Sequence, residues 1–329
     1  MTTAFQSYIT FINDCWTVLQ KYDASSNPGN VVNDLYRTVY SAKDTVNVKT
    51  ALSGTTLNAA MSTIFTSIGA HIVNVQNLGY INSTSTGGFA TDYGNDKSST
   101  LLTKISIDYL HVYPTGSTLE KKGVTPPVGR PTSDEVNWRL GLNVDAKDVA
   151  TVLPAFMTLL DDASYKFIDH FKFGAPGSIG KADTFIIYMK KPSDSVYADF
   201  VAAAWSAIGA LVSPVPAFMP AWHEIKPGFA EASNPPSPYV SFGQYRCIVA
   251  YIAYRALLQT GGMQKTKMNF YLWLEDAMVR FGIPGDEPQQ QEILGLPFFT
   301  QDVQDLFTDI WAKSMRYDPL RFPNLLKVG

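Results

Sequence analysis

Apolar positions repeat at helical intervals in two segments near the start of the chain. Residues 4–21 and 31–44 place apolar side chains three and four residues apart, so each segment predicts an amphipathic helix. Residues 45–100 are rich in Ser, Thr, Asn and Gly, most of all in NSTSTGGFATDYGNDKSST. We expect the second half of this region to be a flexible loop, because it holds too few apolar residues to pack.

Alternation of polar and apolar residues then indicates strands. Residues 101–114 alternate and lead into the proline-rich connector GVTPPVGRP. A second alternating segment covers residues 136–144, a helical pattern follows over 146–163, and two further alternating runs come next. The two runs, 170–173 and 183–190, flank a loop of Gly, Pro and Ser and therefore predict a hairpin.

Helical periodicity dominates the last third. It predicts helices over 196–212, 241–260, 267–283 and 300–316, with a proline-studded loop over 213–239. This order of patterns predicts an α+β fold. We expect a helical N-terminal portion with a flexible loop at 1–130, followed by an α+β portion at 131–329, whose small, mostly antiparallel sheet is flanked by helices. One continuous domain is the alternative that the sequence leaves open.

The predicted hairpin carries unusual polar side chains. His170, Lys172, Tyr188 and Lys190 occupy alternating positions that an ordinary sheet would fill with Thr, Val or Glu. Residues two apart on a strand share a face, so the imidazole of His170 and the ammonium of Lys172 point the same way. A lysine near other cations has a lowered pKa and can accept a proton. The alternative is an exposed face of solvated polar groups.

Further cations accompany the hairpin. Arg139 lies in the alternating segment before it, and Lys181 immediately precedes its second strand. In SFGQYR, Ser241 is a predicted helix N-cap, with Arg246 one turn into the helix. Helix N-termini and arginine side chains both bind phosphate. A plain capped helix with a solvent-facing Arg246 remains the alternative.

Composition narrows the function classes. The 329 residues are 46% hydrophobic and carry a net charge of -3, which gives no general attraction to nucleic acid or to an anionic membrane. Cys15 and Cys247 are the only cysteines and indicate a reducing compartment. Without a recognisable signal peptide or membrane span, the chain is expected to be cytoplasmic. The common nucleotide, zinc and serine-hydrolase motifs are missing and the four histidines lack ligand spacing, so we predict neither metal nor cofactor.

Several short motifs together resemble a known family. They are LYRTVYS, NWRLGLNV, FKFG, GKADTFIIYM, PGFAEA, SFGQYR and FGIPGDEP, which span roughly residues 31 to 290. In this order they look like the HopA family, named for a type III secreted effector of plant pathogens. Homologues in bacterial peptide biosynthesis clusters serve as the lyase partner of a kinase.

The resemblance implies elimination of phosphate from phosphoserine or phosphothreonine in a precursor peptide, as in class V lanthipeptide and thioamitide-type dehydration. A separate phosphotransferase-like kinase would phosphorylate that peptide first. Lys172 would be the base, and Tyr188 or His170 the acid. Arg139, Lys181 and Arg246 are expected to converge on the phosphate, with Lys190 and Ser241 as further substrate contacts. The phosphothreonine lyases carry Lys-x-His, whereas this chain has His170-Phe171-Lys172, and Lys181 replaces an arginine usual in the family.

Two other functions remain open at this stage. A chain of this fold could be a non-catalytic interaction protein or a secreted effector that binds a kinase and a peptide. A phosphatase or phosphotransferase would leave the α-proton of the substrate in place. An active lyase requires Lys172 and the other cations to meet in one site, whereas a binding module would disperse them over the surface.

Overall fold

The structure is a computed structural model that describes most of the chain. The described residues are 3–41, 49–69, 71–75, 79–82, 109–120, 123–177, 181–216, 220–236, 240–284, 287, 289–291, 305 and 309–310. The α-helices among them are α1 (Thr3–Leu19), α2 (Pro28–Leu35), α3 (Gly54–Ser67), α4 (Val149–Asp161), α5 (Asp194–Gly209), α6 (Phe242–Gln259) and α7 (Lys267–Arg280). The strands are β1 (Ile72–Val75), β2 (Gly79–Asn82), β3 (Tyr109–Val112), β4 (Thr118–Glu120), β5 (Gly123–Thr125), β6 (Trp138–Leu142), β7 (Ile168–Gly174), β8 (Phe185–Met189), β9 (His223–Lys226) and β10 (Phe229–Ser233).

The chain divides into two compact units. Unit 1 comprises Met1–Asp44, Met219–Glu224 and Glu231–Gly329, and unit 2 comprises Thr45–Phe218 and Ile225–Ala230. Both units are discontinuous along the chain, unlike the division near residue 130 that the sequence suggests. None of the helices within the described ranges is long and apolar enough to cross a membrane.

Helices α1, α2, α6 and α7 all lie in unit 1. Helix α1 confirms the helix predicted over 4–21, and α6 and α7 confirm those over 241–260 and 267–283. The segment 31–44 is more varied than expected, because α2 ends at Leu35 and a π-helix, Tyr36–Ser41, continues it. Aromatic packing joins these helices: the ring centroid of Trp16 lies 5.6 Å from that of Phe270.

An eight-stranded sheet forms the centre of unit 2. Its strand order is β2-β1-β3-β7-β8-β6-β10-β9, and β4 and β5 pair separately. The register is antiparallel for β1 with β2 and β3, for β7 with β3 and β8, and for β6 with β8. The predicted hairpin is therefore confirmed as β7 and β8, and the α+β class with helices beside a mostly antiparallel sheet is confirmed as well.

The two faces of this sheet differ in chemistry. On one face, Leu110, Leu140, Phe171 and Phe185 are buried in the main hydrophobic cluster, where helix α4 packs on them. The ring of Phe156 from α4 stacks on Phe185 with centroids 4.4 Å apart. Because side chains alternate along a strand, the residues between these apolar ones point to the opposite face. Because the apolar side chains are buried on one face, the polar side chains lie together on the opposite face.

Some elements were not expected from the sequence. Helix α3 and strands β1 and β2 lie in the Ser/Thr-rich region, and the proline-studded segment 213–239 contains β9 and β10. The pattern of α3 was nevertheless present, since buried Leu57, Met61 and Ile64 recur at helical spacing. The predicted loop over 83–100, the start of the strand at 101–114, and most of the predicted helix at 300–316 lie outside the described residues.

Gly228 allows us to test the packing in unit 2. Its φ is +71°, and a Cβ at this position would lie 2.3 Å from the carbonyl oxygen of Val215. We expect Gly228→Ala to lower the free energy of unfolding by more than about 2 kcal/mol, because left-handed backbone alone costs an alanine about 1–2 kcal/mol. Denaturant unfolding measures this.

The matched control is Gly209→Ala. This glycine ends α5, and no atom lies within 4 Å of the position that its Cβ would occupy. Alanine there should be neutral or stabilise by up to about 1 kcal/mol, from its helix propensity. Equal effects of the two substitutions would contradict the tight packing at Gly228.

Candidate functional site

The polar face of the sheet gathers acid–base groups from neighbouring strands. In register across the sheet, Asn74 pairs with His111, and His111 with Lys172. In the adjacent row, Tyr188 pairs with both His170 and Arg139. The hairpin thus brings His170, Lys172 and Tyr188 onto one face together with Arg139.

A stack of rings fixes His170. Its imidazole lies between two phenol rings, with centroids 4.8 Å from Tyr113 and 4.5 Å from Tyr188. The guanidinium of Arg139 lies 5.2 Å from the ring centroid of Tyr188 on β8. His170, Arg139 and Tyr113 are buried, whereas Tyr188 is half-buried. The imidazole is therefore held in one plane, and Tyr188 contacts both this ring and the guanidinium.

A second group surrounds Lys172. Its ammonium donates to the carboxylate of Asp183 at 2.7 Å and lies 4.0 Å from the ring centroid of Tyr109. The hydroxyl of Tyr109 donates to the other oxygen of Asp183. The ammonium of Lys181 approaches the same ring at 5.9 Å. Lys172, Lys181, His170, Tyr188 and Arg139 therefore all belong to one region of unit 2.

The predicted pKa of Lys172 is wrong. Burial alone would lower the pKa of this ammonium, but the charge of Asp183 and its hydrogen bond to the ammonium outweigh both burial and Arg139, so the pKa is raised. The partner carboxylate of Asp183 lies only eleven residues further along the chain, but the pattern of alternating residues does not show that it pairs with Lys172. In this structure Lys172 is a fixed cation. Its assignment as the base stays a prediction that requires the ion pair to break.

Two groups that the sequence analysis did not include complete the site. The carboxylate of Asp169 accepts from Nδ1 of His170 at 2.6 Å, and Nε2 of His170 lies 3.2 Å from Nδ1 of His111. Neighbours in a regular strand point to opposite faces, but the pairing of β7 with β8 shifts register between Ile168 and His170. A bulge redirects a side chain in this way, so Asp169 can reach the ring beside it.

The other predicted residues have different surroundings. Lys190 follows β8 and pairs at the surface with Glu135 at 2.9 Å. Ser241 is the N-cap of α6 and accepts from the backbone N–H of Gln244, as predicted.

Arg246 is buried in unit 1, with its guanidinium 3.6 Å from the ring centroid of Phe242 and one N–H donating to the carbonyl of Gln290. In this structure the side chain of Arg246 neither faces solvent nor lies at the surface, where it could contact a phosphate. Its convergence with Arg139 and Lys181 stays a prediction, because these residues belong to the other unit.

Two further reactive groups are cysteine thiols of unit 1. Cys15 and Cys247 are free thiols buried in unit 1, and burial raises the pKa of both. Within the described ranges, no three His, Cys, Asp or Glu side chains are grouped so that they could hold a metal ion.

The pair of Lys172 and Asp183 yields a testable prediction. Asp183→Asn leaves a largely buried ammonium without its carboxylate, so we expect the pKa of Lys172 to fall and the protein to lose about 3–5 kcal/mol of stability. Titration of ¹⁵N-labelled lysine side chains by NMR measures the first change. The control is Glu135→Gln, which breaks the exposed pair with Lys190 and should leave Lys172 unchanged.

Comparisons with known proteins identify a shared fold. No protein-family model and no curated protein matches the chain. Two solved structures are similar: an effector protein from Pseudomonas syringae pv. tomato strain DC3000, with a TM-score of 0.58 at 16% identity, and one from Pseudomonas syringae pv. syringae strain 61, with 0.55 at 13%. Each comparison covers 88% of this chain and 99% of the other. The chain therefore has the fold of these Pseudomonas syringae effector proteins.

Proposed function

We propose that this protein is a lyase that eliminates phosphate from phosphoserine or phosphothreonine of a precursor peptide. The observation that carries the proposal is the single polar face on which Lys172, His170, Tyr188 and Arg139 meet. Elimination needs a base for the α-proton, an acid for the leaving group and cations for the departing phosphate. All three kinds of group are present on this face.

The products and partners follow from the reaction. The base takes the Cα proton, a Cα–Cβ double bond forms, and the Cβ–O bond breaks with its electron pair leaving on phosphate. The peptide then contains dehydroalanine or dehydrobutyrine. The substrate must be phosphorylated beforehand, so a separate phosphotransferase-like kinase, and a cytoplasmic location in which it has ATP, belong to the proposal. The proposed reaction requires neither a metal nor a cofactor, because phosphate is a good leaving group once nearby cations neutralise its charge.

A phosphopeptide assay tests the proposal. Incubation with a synthetic phosphothreonine peptide should yield a product that has lost phosphoric acid and reacts with a thiol, and EDTA should leave the rate unchanged. A phosphatase would instead return the unmodified hydroxyl peptide. Recovery of only starting peptide, across phosphoserine and phosphothreonine substrates with and without a leader segment, would overturn the lyase proposal.

Lys172 is the first residue to change in that assay. We expect Lys172→Ala to lower the elimination rate by at least about 100-fold, whether the residue acts as the base or as the cation that stabilises the developing negative charge. Lys147→Ala is the matched control, since this exposed lysine of unit 2 lies outside the polar face. Near wild-type turnover by Lys172→Ala would reject any catalytic role for the residue.

Arg246 tests the predicted phosphate contact. We expect Arg246→Lys to reduce elimination by at least about tenfold while leader-peptide binding stays, because an ammonium cannot replace the paired N–H donors of a guanidinium. The contacts of Arg246 with Phe242 and Gln290 stabilise unit 1, so the unfolding midpoint of the variant must be measured together with its elimination rate. A lower midpoint with unchanged turnover of the folded protein would assign Arg246 a structural role only.

The competing candidate is a non-catalytic interaction protein or secreted effector. The shared fold with effector proteins favours it, as does the ammonium of Lys172 being already paired with Asp183. Tight binding of a phosphopeptide or of the kinase without any change in peptide mass is the outcome that this candidate predicts.

A further inference from the structure

Three side chains on the polar face form a continuous line of hydrogen bonds. Asp169 contacts Nδ1 of His170 at 2.6 Å, and Nε2 of His170 contacts Nδ1 of His111 at 3.2 Å. Asp169 is 2% exposed and His170 9%, whereas His111 is half-buried. The line therefore runs from a buried carboxylate to an imidazole that solvent can reach.

The hydrogen bonds define the tautomers. A carboxylate can only accept, so Nδ1 of His170 carries the proton and, in the neutral ring, Nε2 is the acceptor. Nδ1 of His111 must then donate to it, which leaves the lone pair of His111 on Nε2. This nitrogen lies at the end of the line that is furthest from Asp169, and its lone pair can accept a proton.

Electrostatics separate the roles of His111 and Lys172. Burial, followed by the charges of His170 and Lys172, lowers the pKa of His111 well below its ordinary value, so the ring is neutral. Lys172, its register partner on β7, is held protonated by Asp183. The neutral nitrogen and the fixed ammonium are thus neighbours across two strands. This arrangement suits abstraction of a proton next to a carbonyl whose oxygen becomes negative.

We propose that His111, and not Lys172, is the base of the reaction. This assignment rests on the proposed lyase function. Nε2 of His111 takes the Cα proton, while the proton on Nδ1 of His111 passes to Nε2 of His170. The positive charge then lies on His170, beside the carboxylate of Asp169. The electron pair of the broken C–H bond forms the double bond and phosphate leaves with the electrons of the C–O bond. Lys172 stabilises the developing enolate oxygen.

The relay explains how a ring of low proton affinity can act as a base. A charge retained on His111 would be destabilised by burial and by Lys172. Transfer to His170 places that charge at 2.6 Å from a carboxylate instead. Asp169 is therefore a positioning residue that acts through His170, and the bulge in β7 is the feature that brings it there.

Four variants in the phosphopeptide assay test the assignment. We expect His111→Ala to lose about 100-fold or more of the elimination rate, and added imidazole to restore part of it, as for a lost acid–base group. Lys172→Arg should keep more activity than Lys172→Ala, because a cation suffices at this position. The matched control is His223→Ala, a partly exposed histidine of unit 1 that also pairs with a carboxylate, Glu231 at 2.9 Å. It should react at the normal rate.

The outcomes distinguish the inference from the function on which it rests. Normal turnover by His111→Ala, or loss as complete in Lys172→Arg as in Lys172→Ala, would overturn the assignment and leave the lyase standing. If the wild-type protein eliminates nothing, the function and the assignment fail together.

An NMR measurement covers the case in which His111→Ala does not fold. In the wild-type protein with ¹⁵N-labelled histidine, Nδ1 of His111 and Nδ1 of His170 should each carry a proton, and the ring of His111 should be neutral at pH 7. A proton on Nε2 of His111 would contradict the relay without any reference to activity. Asp169→Asn should remove the preference for the Nδ1 proton on His170, which a merely structural role would not do.

Discussion

The burial of one face of the central hairpin is the constraint on which the site depends. Phe171 and Phe173 of β7 are buried with Phe185 and Ile187 of β8. Across the two strands, Phe171 lies opposite Ile187 and Phe173 lies opposite Phe185. A slip of either strand by one residue would move its two apolar side chains to the other face, which hydrophobic burial strongly disfavours. His170 and Lys172 stay on the polar face because the apolar side chains next to them in β7 are buried on the other face.

Each charge on that face is stabilised by a specific partner. A buried ammonium or carboxylate is costly unless it is paired and hydrogen-bonded. Lys172 has Asp183, which in turn accepts from Tyr109, and Asp169 has His170. These pairs keep ionised groups inside a sheet that would otherwise favour neutral ones. They also determine which group is acidic and which can accept a proton, so the same contacts contribute to both stability and chemistry.

Much of the fold could be predicted from local patterns, and the site only in part. Alternation revealed β7 and β8 and the shared face of His170 and Lys172, and helical spacing revealed α1, α6 and α7. Local patterns carry no information on which distant strand becomes a neighbour, so His111 on β3 was weighed only as a metal ligand. The bulge at Asp169 was hidden for a related reason, because it arises from the pairing with β8 rather than from composition. The direction of the pKa shift of Lys172 could not be predicted either, because it depends on the pairing with Asp183.

The sequence separation within the site has a consequence for how the protein is made. His111 and His170 are 59 residues apart, and Tyr109 and Asp183 are 74 apart, so the contacts close long loops. On a ribosome, β3 leaves the exit tunnel well before β7, and β8 emerges last. A growing chain therefore carries His111 for several seconds, at ordinary rates of synthesis, before His170 and Lys172 are available. Assembly of the site is a late step that accompanies closure of the hairpin onto β3.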